Sequence, residues 1–530
     1  MKAARSKTSS TAVRPVPTKL IVLLLIFLHL TPVWLFKYFP TQDGSTHLHT
    51  AQVMKDYHKP EYTKFREYYK YNLSPFPNWA AQALLIPLMY LFPTLIAEKI
   101  LVTIYAFLLP LSVMYLIESV NGRRPPPLIP SLLSLMFIHN FLLYMGFYSF
   151  VLSLPLYFFS LGYWWRNRRK LRIKQFLILN SLLFATYFSH LVSYTLSLFS
   201  ITFLALIYFA VESLKERDVK RYLSSIGGFG FTVASLAPSF ALMCFYLRRS
   251  GIGRGYTPIR KLIEGLFPIE TLYYISSSQK IIAYPVTILL LFLFLYTLWR
   301  EKLRLRGNVL EINLTERDYF LTLSLAALVI YLASPSSMAR GGFINNRLIL
   351  YPPLLLLPWL SDRYNPILRR IIVGFIVLLC LVNLVMLNYY VSKFNGVMKE
   401  FMSGVNLVGR NNAIIGLMRD RRGWFLRVEP YAGGTNYYCI DNGNVNLVNY
   451  QAERIYFGIN FKPGLNRPGV RTIAYHPERI DFGKYVHDVP YIVAWGLADD
   501  SDVSRNVLKH YKLIWRRGKL KIFEAIRHIR

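Results

Sequence analysis

The chain has 530 residues, of which 54% are hydrophobic and 16% aromatic, and its formal net charge is +34. Apolar runs such as Ile281 to Trp299 exclude an ordinary soluble protein, because about 17–25 apolar residues span a bilayer. In lipid the backbone must satisfy its own polar groups, so these runs predict helices. The positive charge lies mostly in short loops, which is typical of cytoplasmic loops beside anionic membrane lipids and argues against nucleic-acid binding. The three cysteines form no Cys-x-x-Cys pair, so neither a disulfide framework nor a thiolate zinc site is indicated.

The N-terminal end of the chain predicts the orientation in the membrane. Residues 1–19 are basic, which predicts a cytoplasmic tail. The apolar run Leu20 to Phe39 lacks a small-x-small cleavage site, so it is predicted to be an uncleaved signal anchor. The first external loop, residues 40–79, then lies on the extracytoplasmic side of a bacterial inner membrane, or in the lumen of a eukaryotic organelle.

Residues 20–390 are predicted to form a multi-pass transmembrane domain of about eleven helices. The basic cluster from Arg166 to Lys174 is the strongest marker of a cytoplasmic loop. Outer turns are predicted at His139-Asn140 and Ser189-His190, and longer outer loops at residues 247–280 and 334–347. Because the number of spans is odd, the C-terminus is predicted to lie opposite the N-terminus.

Residues 391–530 are predicted to form a small extracytoplasmic α/β domain with a net positive charge. Tyr491 to Trp495 has the composition of a strand, and Ser501 or Asp502 is a suitable cap for a helix that runs to His510. Strand patterns on both sides of Arg517-Gly518 predict a hairpin.

Asp43 is the first candidate for chemistry, in the stretch Gln42-Asp43-Gly44-Ser45-Thr46-His47-Leu48-His49. A carboxylate beside a bilayer is a functional-site hypothesis by default, either as a general base or as a metal ligand. The structural alternative is a helix cap or a salt bridge to Lys37 or Arg66. If a helix starts at Ser45, Asp43 and His47 lie one turn apart and can share a ligand, so a divalent metal stays open.

Other polar residues at predicted outer ends of spans form a second group of candidates. The turn residues among them are either satisfied interfacial side chains or the lining of one cavity, and they are His139, Asn140 and His190. The basic ones suit a lipid phosphate or diphosphate, because the guanidinium fork matches phosphate oxygens, and they are Arg254, Arg260, Arg340 and Arg347. The alternative for these arginines is contact with lipid headgroups, although Arg347 at a span entrance favours a ligand.

These features together resemble the GT-C superfamily of membrane glycosyltransferases. The stretch Asp43-Gly44-Ser45-Thr46-His47 is similar to the Asp-Gly-Pro-x-His variant of some members, and Pro77-Asn78-Trp79 is similar to their following interfacial stretch. The resemblance implies a polyprenyl-phosphate-sugar donor, Asp43 as catalytic base, Arg347 at the donor phosphate, and inversion at the sugar. Many members carry a second acidic residue in the second external loop, whereas His139 to Phe147 has none.

Three functions stay open from the sequence. The first is glycosyl transfer to a glycan, lipid or protein acceptor at the extracytoplasmic face. The second is a secondary transporter or lipid flippase, which would place polar residues near mid-span in broken helices. The third is a non-catalytic scaffold of envelope assembly.

Overall fold

The computed structural model describes residues 18–122, 125–169, 171–215, 219–250, 253–306, 309–312, 314–338 and 341–526. These residues are mostly helical. The helices are α1 (Thr18–His29), α2 (Thr31–Trp34), α3 (Gly44–Asp56), α4 (Thr63–Tyr68), α5 (Ala80–Leu91), α6 (Thr94–Asn121), α7 (Leu128–Leu135), α8 (Phe141–Tyr144), α9 (Tyr148–Asn167), α10 (Ile173–Ser189), α11 (Leu191–Lys215), α12 (Val219–Ser250), α13 (Ile259–Leu266), α14 (Lys280–Thr297), α15 (Asp318–Ala333), α16 (Ile344–Leu348), α17 (Tyr351–Leu356), α18 (Pro366–Phe401), α19 (Val470–Tyr475) and α20 (Asp502–Leu508). The strands are β1 (Tyr69–Tyr71), β2 (Leu303–Arg306), β3 (Val309–Ile312), β4 (Ala413–Met418), β5 (Val445–Asn446), β6 (Ile459–Phe461), β7 (Tyr491–Trp495), β8 (Tyr511–Arg517) and β9 (Leu520–Ala525).

Within these ranges, five helices are long and apolar enough to cross a bilayer. They cover Thr94–Asn121, Leu191–Leu214, Ile226–Arg248, Ser277–Lys302 and Pro366–Val408. Three shorter apolar helices cover Thr18–Trp34, Ala80–Leu91 and Asp318–Ala333. The predicted multi-pass helical architecture is therefore confirmed, but the count of eleven spans is not.

Proline explains one of the runs that do not form a full span. The predicted span from Leu348 to Leu360 contains only the six-residue helix α17, which begins with Pro352 and Pro353 in its first turn. Proline is tolerated at the start of a helix because its missing N–H would be unpaired there. Pro358 follows beyond the helix end, so the segment forms a short, buried turn instead of a long rod.

The membrane helices pack on a tight contact between α6 and α9. Gly162 of α9 lies against α6, and a Cβ atom on it would come within 2.9 Å of the Tyr115 ring and 3.2 Å of the Leu116 Cα. The glycine therefore lets the two backbones approach closely. The contact attaches the C-terminal half of α9 to α6, and α9 itself begins directly after the second external loop.

The C-terminal part contains a five-stranded sheet in the order β5-β4-β7-β9-β8. Strand β4 pairs in parallel with β5 and β7, whereas β9 pairs antiparallel with β7 and β8. The strand and the hairpin that the sequence predicts are β7 and β8–β9, and the Ser501 side chain caps α20 through the Ser504 amide at 3.2 Å. The boundary predicted at residue 391 lies within α18, which runs without a break from Pro366 to Phe401.

The first external loop is part of the same body as the C-terminal sheet domain. Strand β1 of the loop pairs antiparallel with β6 of the domain, with Tyr69 opposite Phe461 and Tyr71 opposite Ile459. Helix α3, which belongs to the same loop, is buried along most of its length. The predicted candidate loop is thus enclosed between membrane helices on one side and the C-terminal domain on the other.

Candidate active site

A cavity of about 940 Å³ lies between the ends of the membrane helices and the C-terminal domain. One wall is apolar and belongs to the membrane helices; it includes Leu191, Val192, Leu196, Phe199, Ile330 and Leu348. The other wall is polar and includes Asp43, His47, Asn78, His190, Arg347 and Tyr450. The cavity therefore offers an apolar surface and charged groups to one ligand.

The backbone of Asp43 is held by the second external loop. The Gln42 amide donates to the Tyr144 carbonyl at 3.0 Å, and the Asp43 amide donates to the Met145 carbonyl at 3.2 Å. Gly146 has φ +74°, and a Cβ atom there would come within 2.7 Å of the Gly44 amide nitrogen. Only glycine suits both this backbone conformation and this close approach.

Gly44 packs against a buried polar group behind the loop. The Thr41 and Tyr148 hydroxyls lie 3.1 Å apart, and Tyr148 donates to the Glu98 carboxylate in a short hydrogen bond. A Cβ atom on Gly44 would lie 2.1 Å from the Thr41 hydroxyl. The glycine after Asp43 therefore lets α3 begin directly above this group, which fixes the direction in which Asp43 leaves the backbone.

The side chain of Asp43 is buried and faces the cavity. Tyr450 of the C-terminal domain donates its hydroxyl to Asp43 Oδ2 at 2.8 Å. Burial raises the pKa of Asp43 to about 7, although hydrogen bonds from Tyr450 and Gln42 and the charge of Arg347 oppose the increase. A carboxyl with this pKa is about half ionised at neutral pH, which suits a general base.

Neither structural alternative for Asp43, a helix cap or a salt bridge, is formed by its side chain within the described residues. Asp43 lies at the N-cap position of α3 but makes no side-chain capping bond. Arg66 donates to the carbonyls of Tyr57, Lys59 and Pro60. Among the residues that the structure describes, no ion pair within 4.0 Å includes Asp43.

Hydrogen bonds connect α3 and its N-terminal loop to the C-terminal domain along their length. Gln42 accepts from the Glu429 amide at 3.0 Å, and the Ser45 hydroxyl donates to the Gly433 carbonyl at 2.8 Å. One turn further on, the Thr50 hydroxyl donates to the Gln451 side chain at 2.7 Å. This last bond fixes the turn that carries Tyr450, so the domain holds its tyrosine opposite Asp43.

Arg347 lies in α16 and is also buried, with 8% of its surface exposed. Its guanidinium donates to the Gly342 carbonyl and lies 4.7 Å from the ring centre of Phe147 and 5.5 Å from that of Phe150. Its Nε finds no hydrogen-bond partner within the described part of the chain. Burial lowers the pKa of Arg347 to about 10, which leaves it charged at neutral pH.

Two of the predicted histidines line the cavity. His47 Nδ1 lies 3.3 Å from the Gln82 side-chain nitrogen, and burial lowers the pKa of His47 to about 3. Because its amide donates to the Asp43 carbonyl at 3.0 Å, the predicted spacing of one turn is confirmed. His190 Nδ1 accepts from the Val192 amide at 3.1 Å, so this histidine caps the start of α11. Both imidazole rings line the cavity in the neutral form.

His49 points away from the cavity toward the C-terminal domain. Its Nε2 lies 3.1 Å from the Asn444 carbonyl oxygen, and its Nδ1 lies 3.5 Å from the Asn449 side-chain nitrogen. Asn449 precedes Tyr450, so His49 supports the turn that carries the tyrosine. It does not contact the space beside Asp43.

His139 and Asn140 lie outside the cavity lining and shape the second external loop. His139 Nε2 lies 2.8 Å from the His29 carbonyl oxygen, and Asn140 accepts from the Leu142 and Leu143 amides at 3.0 and 3.1 Å. Asn140 thus caps α8, the helix that supplies the Tyr144 carbonyl. These two residues act on the Asp43 loop through the backbone.

Two further predicted arginines, Arg254 and Arg260, are not among the residues that line the cavity. Arg254 is exposed, and Arg260 pairs with Glu264 at 2.9 Å with 89% of its side chain exposed. Arg340 lies outside the described residues. Over the ranges that the structure covers, no three His, Cys, Asp or Glu side chains form a cluster suited to a metal ion.

Tyr450 is the site residue that sequence reasoning missed. It lies in the C-terminal domain, far along the chain from Asp43, and belongs to no motif. Its neighbours Asn449 and Gln451 are also ordinary turn residues. Only the pairing of β1 with β6 and the bonds from α3 bring it to the carboxylate, and these follow from tertiary structure alone.

The fold and the site define a class: a mostly helical membrane architecture with a C-terminal sheet domain over a cavity whose lining is partly apolar. One solved structure with this architecture is that of ArnT from Cupriavidus metallidurans bound to undecaprenyl phosphate, which matches at a TM-score of 0.51 over 96% of this chain and 97% of that chain. Sequence identity is 9%, so the likeness establishes the shared fold alone, and the predicted helical membrane fold with a small C-terminal α/β domain is confirmed at this level. Neither a protein-family model nor a curated protein sequence matches the chain.

Proposed function

We propose that this protein is a membrane glycosyltransferase that moves a sugar from a polyprenyl-phosphate donor to an acceptor hydroxyl. The observation that carries the proposal is that Asp43 and the buried Arg347 line one cavity whose other wall is apolar. A carboxylate, a guanidinium and an apolar surface match the three parts of such a reaction: a proton acceptor, a phosphate contact and a lipid contact. The structure of ArnT, which shares the fold, holds undecaprenyl phosphate.

Asp43 is proposed as the general base. The acceptor oxygen attacks the anomeric carbon, and its proton passes to Asp43. The bond between that carbon and the phosphate oxygen breaks, and its electron pair leaves with the polyprenyl phosphate. A single displacement of this kind inverts the anomeric carbon. Because the leaving group is a stable anion, positioning and one base are sufficient.

Arg347 is proposed to bind the donor phosphate and to stabilise the charge that develops on it. Its Nε lacks a partner within the described ranges, so a phosphate oxygen would satisfy a buried donor. The rings of Phe147 and Phe150 hold the guanidinium plane in place. Charge-assisted hydrogen bonds of this kind are about twice as strong as neutral ones.

The apolar wall is proposed to hold the first isoprene units of the donor. Leu191, Val192, Leu196 and Phe199 follow one another along α11, so they form a continuous stripe from the cavity toward the bilayer. Burial of such a chain is favourable by about 25 cal/mol for each Å² of apolar surface. The lipid tail would stay beside α11 while its headgroup meets Arg347.

Tyr450 is proposed as a positioning residue for Asp43. Its hydrogen bond holds one carboxylate oxygen, which leaves the other for the acceptor hydroxyl. The orientation proposed with this mechanism places the N-terminus in the cytoplasm and the C-terminal domain outside, in an inner membrane. The acceptor would then approach from the aqueous side, between Tyr450 and the C-terminal domain.

The proposal is tested with purified protein in lipid nanodiscs. Binding of undecaprenyl phosphate is measured first, and then release of undecaprenyl phosphate from a panel of its labelled monosaccharide esters, with an envelope fraction as acceptor. We expect wild-type protein to bind the lipid and to move label from at least one donor into the acceptor fraction. A protein that binds undecaprenyl phosphate no better than an Arg347→Gln variant, and moves no label, would overturn the proposal.

A further inference from the structure

Helix α13 carries apolar side chains that nothing in the described structure covers. It lies in the connection between α12 and α14, at the same end of the membrane helices as the cavity. Ile259 and Ile263 are 54% and 56% exposed, and Phe267 just after the helix is 50% exposed. Two other residues of the helix, Leu262 and Gly265, are buried. One flank of this short helix is thus packed on the protein, and a neighbouring flank is apolar and free.

The angular order of the side chains is that of a helix at a bilayer surface. Successive residues are rotated by about 100° around an α-helix. Leu262 and Gly265 define the buried flank, Ile259 and Ile263 lie next to it, and the charged residues complete the circle. The charged residues are Arg260, Lys261 and Glu264. Protein, acyl chains and water can each contact one flank, as in an amphipathic helix that lies in the interface.

The charges on this segment favour an anionic surface. Arg260 and Lys261 are exposed, Arg254 precedes them, and Glu264 already pairs with Arg260 at 2.9 Å. Basic residues close to apolar ones on an interfacial helix attract anionic phospholipid headgroups. The apolar helix Ser277–Lys302 begins shortly after α13, so α13 lies close to the surface of the bilayer that this helix would cross.

The same segment is joined to the rim of the cavity. The Gly255 amide donates to the Ser337 carbonyl at 3.1 Å, and the Ser336 amide donates to the Gly255 carbonyl at 2.8 Å. On the other side of the helix, Glu270 accepts from the Asn346 side chain at 2.7 Å. Asn346 is next to Arg347. The segment that contains α13 is therefore hydrogen-bonded to both ends of the loop that precedes Arg347.

We propose that α13 is an interfacial helix that binds anionic phospholipid headgroups on the cavity side of the membrane and holds the cavity rim at headgroup depth. The Leu262 carbonyl accepts from Tyr331 at 2.8 Å, which attaches the helix to the end of α15. Ile259, Ile263 and Phe267 enter the boundary between headgroups and acyl chains. Arg260 and Lys261 contact the phosphates. The proposal does not depend on glycosyl transfer.

The depth of the helix can be measured without any enzyme assay. Single cysteines for spin labels are introduced as Ile263→Cys and, on the charged flank, Glu264→Cys, in a Cys244→Ser background. The labelled proteins are placed in nanodiscs, and collisions with oxygen and with a water-soluble nickel chelate are compared. We expect the label at position 263 to be reached by oxygen and shielded from nickel, and the label at 264 to show the reverse. Equal access of nickel to both labels would overturn the interfacial helix, and shielding of position 263 from both reagents would indicate a second copy of the chain instead of lipid.

The preference for anionic lipid is tested by lipid exchange. Relative binding of spin-labelled phosphatidylglycerol against phosphatidylcholine is measured for wild type and for the Arg260→Gln/Lys261→Gln double variant. We expect the ratio of phosphatidylglycerol binding to phosphatidylcholine binding to be about tenfold lower in the variant, since it removes two positive charges at the surface. The matched control is Arg505→Gln/Lys509→Gln, which removes two exposed charges from the region of α20 and should retain the preference. Equal preference in the wild type and the double variant would overturn recognition by these residues.

Discussion

Two charged groups that line the cavity, Asp43 and Arg347, are supported in opposite ways. Asp43 is fixed by backbone bonds to the second external loop and by the Tyr450 hydroxyl. The Arg347 guanidinium donates to the Gly342 carbonyl and rests on the rings of Phe147 and Phe150, and its Nε is unpaired within the described ranges. This difference fits the two proposed roles: Asp43 is held in place as a proton acceptor, whereas Arg347 has, within the described part of the chain, a free hydrogen-bond donor for a ligand.

Replacing the carboxylate should have the largest effect. Asp43→Asn keeps the size and the Tyr450 contact but removes the base, so we expect transfer to fall by about 10²–10⁴-fold while undecaprenyl phosphate still binds. The measurement is label transfer in nanodiscs together with lipid binding. Asp56→Asn, at the other end of α3, is the matched control and should keep transfer near the wild-type rate. Wild-type transfer by Asp43→Asn would exclude Asp43 as the base.

The same variant gives a stability readout. The pKa of Asp43 in the folded protein, about 7, lies above its ordinary value of 3.8. The unfolded chain ionises above about 3.8 and the folded protein only above about 7, so the stability of the fold falls as pH rises from about 4 to about 7 and is constant beyond it. We expect Asp43→Asn to gain thermal stability relative to wild type between pH 5 and pH 8. An equal difference at both pH values would indicate that Asp43 is not buried in this way.

The support of Asp43 can be broken without touching a charged group. A Cβ atom in Gly146→Ala would push against the Gly44 and Asp43 amides, and φ is +74° at this position. We expect transfer to fall by about 10²-fold, because a shift of about 1 Å at a reacting group costs that much. Binding of undecaprenyl phosphate should change little, since the Arg347 wall is intact.

The matched control for this change is Gly374→Ala in α18. Gly374 is exposed, and a Cβ atom there would meet nothing within 4 Å. Alanine is the better helix former, so the control should be as stable as wild type or slightly more stable. Equal transfer by Gly146→Ala and Gly374→Ala would show that the close approach of the two loops does not position Asp43.

Removing the arginine should affect the lipid more than the proton transfer. Arg347→Gln loses the charge and the fork, and hydrogen bonds to a charged group are worth about 1.5–3 kcal/mol. We expect binding of undecaprenyl phosphate to weaken by about 10–100-fold. Arg505→Gln, which removes an exposed arginine of α20 outside the cavity, should bind as wild type does. If both variants bind undecaprenyl phosphate equally well, Arg347 does not bind the phosphate of this lipid.

The sequence predicts the features that depend on local pattern. Apolar runs and basic loops predict the multi-pass helical part, and alternation predicts β7 and the β8–β9 hairpin. The count of eleven spans is not confirmed, and it is weakest where a span was inferred from apolar composition alone, as in the segment with Pro352 and Pro353. There the prolines and burial among other helices permit a short turn, which a window of hydropathy does not distinguish from a span.

The candidate site was predictable in Asp43 and Arg347, and in part in its histidines. Asp43 and Arg347 are conspicuous because charge is rare beside a bilayer. Histidine at an outer turn is not specific: His190 lines the cavity, whereas His49 and His139 bind backbone carbonyls elsewhere. Tyr450 carries no sequence signal, because its position depends on pairing across the whole chain.

The tyrosine provides the finest test of how Asp43 is held. Tyr450→Phe removes a hydrogen bond that stabilises the ionised carboxylate, so the pKa of Asp43 should rise above about 7. The rising limb of transfer against pH should move to higher pH by about one unit, since a hydrogen bond of about 1.4 kcal/mol corresponds to that shift. Transfer should be several-fold lower at neutral pH and recover at alkaline pH, where the base is ionised in both proteins. Tyr475→Phe changes another tyrosine of the cavity lining and should leave the limb in place. A Tyr450→Phe variant that is slower by the same factor at every pH would mean that the tyrosine fixes the shape of the site without acting on the ionisation of Asp43.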